Sequence, residues 1–472
     1  MKRGPHLDIR GYNEGVTGTT LRNTVHFLDG TVFRYLVDHG MYQGEGHKRG
    51  LDYNDSVNPD KIGAILLTHP HLDHDGALPI FCKKGYKNKI YMTDAANCVI
   101  DIGFRDSYNI MKRDAKLLKT APLYSPTDID NTLNQIVPVR YGEPVEIYGE
   151  RIKATFFNNG HLVGSSIILV QIQDLDSEPI NILYTGDYKP DNVFLDIEPL
   201  PYWVYALPNL TIVSEATYGT TNSWDVEHHW EDDIIEACSK NRIILNTAFA
   251  QGRFQELMYR IRKLKEDGKI PKDYPIKVDG KTGIDYTFRY LSNSNIIKFK
   301  PETIGFFPEN LQFVDDKTRP GIINNLEPKI IISTAGMGSN GPAKEYIKKL
   351  LPNEKAIIYF PGYTSEGTIG RRVFETKHGD PVVINGKEFI KRATVLQTLE
   401  FSSHATADVL INFLMMFAPR AVLFNHGTLE CKEAMVERTK KELGYKDKNV
   451  GILGNGFVYR INQYGIDKKI RK

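Results

Sequence analysis

Cysteine is scarce. The chain has four in 472 residues (Cys82, Cys98, Cys238 and Cys431), too far apart for any Cys-x-x-Cys pair. That spacing argues against a disulfide framework and a cysteine-built zinc site, and it fits reduced core thiols in a cytoplasmic protein. The opening MKRGPHLDIRGYNEG lacks the apolar core of a signal peptide, and the greasiest later stretch, VLINFLMMFAPRAVLF, is broken by Asn412, Pro419 and Arg420. No membrane span is expected. An excess of one charge is lacking too, since 60 Lys and Arg stand against 58 Asp and Glu. A net charge of +2 means that any polyanion site must be local. Internal repeats and low-complexity segments are also missing, and 41% hydrophobic with 25% charged residues is the balance of a folded chain of two or three domains.

What is present is a recurring ending. Short β-rich runs close on an acid or a histidine: FRYLV on Asp38, AILLT on His69, KATFF through Asn-Asn-Gly on His161, and NILYTG on Asp187. LTIVS leads to Glu215, ATVLQTLEF to His404 and RAVLFN to His426. Ligand sites in layered α/β proteins gather outside the carboxyl ends of sheet strands, so these seven endings are expected to share one mouth.

Residues 222 to 392 carry their own alternation. NRIILNTAF, KIIIST and KAIIYF read as strands, RFQELMYRIRKLK and PAKEYIKKLL as helices. Phe254, Leu257, Met258 and Ile261 fall at i, i+3, i+4 and i+7, one core-facing stripe. Chemistry-bearing residues resume afterwards, so the first domain is expected to be discontinuous, with an α/β insert. The ending DKKIRK is expected to be a frayed, solvated tail.

The densest stretch is AILLTHPHLDHDGALPIF, residues 64 to 81. An apolar run buried on both faces of a sheet ends in His69, His71, Asp73 and His74, which spell HxHxDH. Side chains two apart in extended backbone point the same way. A polar turn with surface histidines is the plain alternative, but chance placement at these offsets is on the order of one in a thousand. Imidazole and carboxylate together suit Zn²⁺, and two ions about 3.5 to 4 Å apart can clamp both the attacking and the leaving oxygen of a phosphodiester.

HxHxDH, NNGHLVGS and YTGDYKP, with LVDHGMYQG and NEGVTGT nearer the start, resemble the metallo-β-lactamase fold, an αββα sandwich. The resemblance implies one zinc on His69, His71 and His161, a second on Asp73, His74 and His426, and Asp187 bridging them. Asp38 would orient a ligand histidine through its other ring nitrogen. SEATYG with Glu215, FSSHA with His404 and NHG with His426 resemble motifs A, B and C of the β-CASP nucleases, and TAFAQGRFQEL and FPGYTSEGTIGRR are similar to stretches of their insert. Those nucleases include the nuclease subunit of the cleavage and polyadenylation specificity factor and its prokaryotic relatives. The likeness covers nearly the full length. It implies a metallo-β-lactamase domain over 1–220 and 393–472, a β-CASP domain over 221–392, and a cleft between them.

The implied activity is a zinc-dependent ribonuclease, endonucleolytic, 5′–3′ exonucleolytic or both, with two Zn²⁺ and RNA as partner; homodimerisation stays open. A histidine at motif C accompanies action on RNA in that family. His404, kept protonated by Glu215, would be the general acid for the departing 3′ oxygen. Arg253, Arg371, Arg372 and Ser339 are candidates for gripping the RNA backbone, solvated surface groups being the alternative. Thr406 and Thr428 stand where the family usually has acids, which bears on rate or metal affinity. GMGSNG, residues 336 to 341, matches a dinucleotide-binding fingerprint but lacks the later acid, so a tight turn packing the insert is expected. A noncatalytic RNA-binding scaffold and a small-ester metallohydrolase are the rival readings.

Overall fold

The computed structural model describes all residues except 1–4, 14, 44–52, 176, 224–227, 304, 455 and 472. Glu14 of NEGVTGT and Gly44 of LVDHGMYQG therefore lie outside the described residues. The chain divides into two compact units, one formed by 1–223 with 403–472 and the other by 224–402.

The first unit stacks two sheets. The eight-stranded sheet runs in the order Gly465–Arg471, Phe457–Asn462, His6–Gly11, Thr20–His26, Val32–His39, Ala64–Leu66, Lys89–Thr93, Ile136–Val139. The seven-stranded sheet runs Val450–Ile452, Ala421–Phe424, Leu210–Ser214, Ile180–Tyr184, Ser166–Ile172, Ile152–Asn158, Pro144–Tyr148. Alternation along one strand shows why these runs are apolar throughout. Ile168 and Val170 join the core between the sheets, with Ile9, Val37 and Phe156, while Ile167 and Leu169 face outward against Leu410, Leu414 and Met435 of the helices Ala407–Phe417 and Leu429–Leu443. On the other sheet, Ile65 and Ile90 pack under Phe104 and Met111 of helix Ile100–Leu118 and Ile129 of helix Pro126–Leu133. Strands covered on both faces need hydrophobic side chains in both registers. The result is the αββα sandwich.

The tail departs from expectation. Gly465–Arg471 is not frayed but an edge strand, antiparallel to Phe457–Asn462, which in turn pairs with His6–Gly11. Its lysines misled the sequence reading: an exposed edge is where charged residues guard against stray pairing.

The second unit holds a six-stranded sheet, all parallel, in the order Leu311–Val314, Ile276–Asp279, Lys329–Thr334, Ile243–Ala248, Ala356–Pro361, Thr394–Thr398. Phe254, Leu257, Met258 and Ile261 of helix Arg253–Glu266 are fully buried. Thr394–Thr398 corrects a boundary, because it pairs with Ala356–Pro361 and belongs to this unit rather than to the returning segment after residue 392. A short β-rich run does not reveal which sheet it will join, since the choice rests on non-local pairing. GMGSNG is a tight turn: Gly338 has φ +67°, a Cβ there would stand 2.4 Å from Ile347, and Gly370 N donates to Met337 O at 2.9 Å. No described helix is long and apolar enough to cross a membrane.

Candidate metal centre

In the first unit Val32–His39, Ala64–Leu66 and Lys89–Thr93 are mutually parallel, as are Ile180–Tyr184, Leu210–Ser214 and Ala421–Phe424. Asp38 is the penultimate residue of Val32–His39, and the segments after Ala64–Leu66, Ile180–Tyr184, Leu210–Ser214 and Ala421–Phe424 carry the HxHxDH cluster, Asp187, Glu215 and His426. His404 arrives differently, on the loop that follows the crossing back from the second unit, and Ala405 N anchors that loop on Tyr188 O at 2.7 Å.

Four contacts fix the ring orientations. Asp38, with a left-handed φ of +61°, accepts from Thr68 N at 2.7 Å, Thr68 Oγ1 at 2.8 Å and His74 Nδ1 at 2.7 Å. A non-glycine residue held in that region marks a position the surroundings over-determine. Having donated to Asp38, Thr68 Oγ1 accepts from His69 Nδ1 at 3.0 Å. His161 Nδ1 donates to Ser403 O at 2.7 Å, and Thr217 Oγ1 lies 3.0 Å from His426 Nδ1. For His69, His74 and His161 this leaves Nε2 turned inward. Partners on the outer nitrogen are how proteins set the tautomer of a ligating imidazole.

Asp187 sits at the centre. Its Oδ2 is 3.4 Å from His69 Nε2 and 3.7 Å from His161 Nε2, while its Oδ1 is 3.4 Å from His74 Nε2 and 3.2 Å from His426 Nδ1. One carboxylate oxygen faces each group. His69, His71, His161 and Asp187 place donor atoms within 4.8 Å of one another, and so do Asp73, His74, Asp187 and His426. Asn159 holds the Asp187 loop, its amide donating to Thr185 O at 2.8 Å and Asp187 O at 2.6 Å.

The donor chemistry fits metal. His69 Nε2, His74 Nε2 and Asp187 Oδ1 are buried with no hydrogen-bond partner, a cost of about 1–3 kcal/mol each unless a cation occupies the space. Burial drives the imidazoles of His69, His71 and His161 toward the neutral form that binds metal, His71 down to about 4. Burial opposes ionisation of Asp187 and Asp73 as well, but the surrounding histidines outweigh it, holding Asp187 well below the usual carboxylate range and Asp73 at about 2. The carboxylates thus stay charged. For His74 the balance tips the other way: burial disfavours charge, yet Asp187, Asp38 and Asp73 raise its pKa well above normal, the same negative field that favours a cation beside its Nε2.

At the rim, His404 Nδ1 bonds Glu215 Oε2 at 3.0 Å, and its Nε2 lies 3.9 Å from Asp187 Oδ2. Burial lowers its proton affinity, but Glu215 and Asp187 together bring its pKa up to about 9. Glu215 is also committed through Tyr188 N and Thr217 N. It is a hydrogen-bonding anchor rather than an open donor.

Thr68, Asn159 and Thr217 escaped the sequence reading. Each flanks a motif residue by one or two positions, but hydroxyls and amides beside motifs are too common to single out. Ser403 acts through its carbonyl, for which no residue type is a signal. Asp75 was also passed over; burial, with Asp73 beside it, raises its pKa well above the carboxylate range.

The backbone-gripping candidates lie in the second unit, each with a local partner. Arg253 Nη2 donates to Phe401 O at 3.1 Å, Arg371 pairs with Glu375 at 2.7 Å, Arg372 Nη1 donates to Val383 O at 2.8 Å, and Ser339 Oγ accepts from Ile369 N at 2.9 Å. Thr406 and Thr428 both stand at helix N-caps, and Thr428 Oγ1 accepts from Cys431 N at 3.2 Å.

Residues 27–192 match the metallo-beta-lactamase superfamily domain and residues 254–373 the Beta-Casp domain. The chain is 31% identical over 416 residues to transcription termination factor FttA of Methanosarcina mazei, covering 84% of this chain and 63% of that protein. It is 30% identical over 401 residues to an RNase J-like protein of Methanocaldococcus jannaschii (84% and 87%), and 28% identical over 424 residues to ribonuclease TTHA0252 of Thermus thermophilus (86% and 90%). It thus spans about three fifths of the termination factors it matches and most of the ribonuclease-named proteins. With the sandwich, the inserted parallel sheet and the histidine–aspartate centre in one chain, this protein belongs to the β-CASP family of the metallo-β-lactamase superfamily.

Proposed function

We propose that the chain is a zinc-dependent ribonuclease that hydrolyses RNA phosphodiester bonds and leaves 5′-phosphate and 3′-hydroxyl ends. The observation that carries this reading is Asp187, whose two oxygens each face a separate cluster of inward-turned donors. The imidazole and carboxylate set suits Zn²⁺. His69, His71 and His161 would hold one ion and Asp73, His74 and His426 the other, with Asp187 shared. When bound, such ions would supply acidification of a water to a nucleophile at neutral pH and positive charge against the phosphoryl oxygens. RNA as substrate is supported by the relatives named as ribonucleases.

The chain's own residues do the rest. Asp38 and Thr68 hold the rings of His74 and His69 in register. His404, anchored through Nδ1 on Glu215, presents its Nε2–H toward the ligand cluster and protonates the departing 3′ oxygen. Arg253, Arg371 and Arg372 would take backbone phosphates through guanidinium nitrogens released from their local partners. An RNA substrate and four free cysteines fit a cytoplasmic setting.

Digestion of one RNA labelled separately at each end, with and without chelator, tests activity and direction together. Internal cuts leave long fragments from both labels, whereas 5′–3′ digestion releases a labelled mononucleotide from the 5′-labelled strand at the outset and from the 3′-labelled strand only when digestion reaches its end. Absence of chelator-sensitive cleavage from either label would refute the reading.

Two further outcomes are expected. Asp38→Asn should weaken metal binding by about 10–100-fold, measured by competition with a chromogenic chelator, because the carboxylate that orients His74 loses its charge. Glu215→Gln should move the alkaline limb of the kcat/KM profile to lower pH. A general acid works while protonated, so rate falls as pH rises through its pKa, and removing the Glu215 charge lowers that pKa. An unmoved limb would mean that His404 is not the group being titrated.

A further inference from the structure

At the opposite end of the same strands lies a cavity of about 630 Å³. Leu210 lines it at the amino end of Leu210–Ser214, whereas Glu215 follows the carboxyl end, so the strand's length, roughly 16 Å, separates cavity from metal centre. Three turns and a hairpin wall it, and they bring Arg420, Lys446 and Lys448 to one space with Asn209, Tyr445 and Tyr464. Among the described residues, no carboxylate lines it. Asp447, between the two lysines, is engaged with Lys440 Nζ at 2.6 Å.

Three cations need an explanation. Helices Ala407–Phe417 and Leu429–Leu443 both end at this wall, at Ala418 and Gly444, and a helix C-terminus carries about −0.5 of a charge. Two such ends account for about one cation. The cavity keeps an excess of about two positive charges, enough for a phosphate dianion. Arg420 is also fixed in orientation, because its Nε donates to Asn209 Oδ1 at 3.1 Å. That bond sets the plane of the guanidinium and leaves the two terminal nitrogens, unused in any bond among the described residues, to form a fork. The Tyr445 hydroxyl donates to Pro419 O, tying down its ring, while Tyr464 is 73% exposed and offers an aromatic face beside the cations. A cationic wall with an aromatic platform is the pattern that holds a nucleotide by its phosphate and base, and the volume suits one small ligand.

We propose that this cavity is a second, noncatalytic site for a nucleotide, either free or as one unit of an RNA strand, with its phosphate on Arg420, Lys446 and Lys448 and its base on Tyr464. The site does not depend on the ribonuclease reading. The test is isothermal titration of the chelator-treated full chain with AMP and, separately, with decauridylate, comparing the native protein with Lys446→Gln/Lys448→Gln and with Tyr464→Ala. All three residues are exposed, so neither variant disturbs the core. The double variant is expected to weaken binding at least tenfold and, for decauridylate, to reduce the salt slope by about 1.4, two phosphate contacts at about 0.7 each. Tyr464→Ala should weaken binding severalfold without changing that slope. Weakened AMP binding assigns the site to free nucleotides, and weakening confined to decauridylate assigns it to an RNA strand. Affinities left unchanged by both variants, or no binding of either ligand, would overturn the proposal.

Discussion

Asp187→Ala is expected to lose metal and activity together, with bound zinc falling well below two per chain and RNA cleavage dropping by at least about a thousandfold. The Asp187 carboxylate faces both donor groups. Oδ2 approaches His69 and His161, Oδ1 approaches His74 and His426, and Oδ1 is buried without a hydrogen bond. Removal of the carboxylate deletes one donor from each set and the negative charge that favours cations in a site of five close imidazoles. Bound metal measured by elemental analysis on the purified variant, alongside turnover, checks this. A variant that keeps two metals per chain would show that the clusters are independent and that Asp187 does not join them.

His404→Ala separates chemistry from metal. His404 clusters with Asp187, Glu215 and His426 but lies outside the two histidine–aspartate sets described above, and its Nδ1 is committed to Glu215, so metal content should remain near that of the native chain. Cleavage should fall by about 10²–10⁴-fold, the usual contribution of a positioned general acid. Alanine leaves Glu215 buried with one fewer partner, a cost that could affect folding. His404→Gln, whose amide can still donate to Glu215, serves as the companion. Both variants should lose activity with metals in place. Near-normal turnover in either would remove His404 from the reaction, whereas loss of metal would mean that it supports the donor set instead.

Much of this was legible in the sequence for a physical reason. HxHxDH packs four candidate ligands into six residues, and the buried strands before His69, Asp187 and Glu215 announce themselves as apolar runs, AILLT, NILY and LTIVS. The helix stripe from Phe254 to Ile261 was readable from its period alone. What stayed hidden depends on long-range pairing. Thr394–Thr398 joins the insert's sheet through Ala356–Pro361, and Gly465–Arg471 finds an edge through Phe457–Asn462, choices that local pattern does not encode. The supports of the site were hidden likewise. Thr68, Asn159 and Thr217 matter because of what lies across from them, not because of their neighbours in the chain.

The eight-stranded sheet has a consequence for how the molecule is made. Its first strand, His6–Gly11, lies between Thr20–His26 and Phe457–Asn462, and Asp8 meets Arg460 from 452 residues away. At about 5–20 residues per second, a growing polypeptide leaves that edge unpaired for roughly 20 to 90 seconds before its neighbour leaves the ribosome. Over nearly the same interval His404 and His426 do not yet exist. A nascent chain therefore carries the HxHxDH ligands for most of that interval without His404 and His426, so the donor set around Asp187 is complete only after the inserted unit has been made.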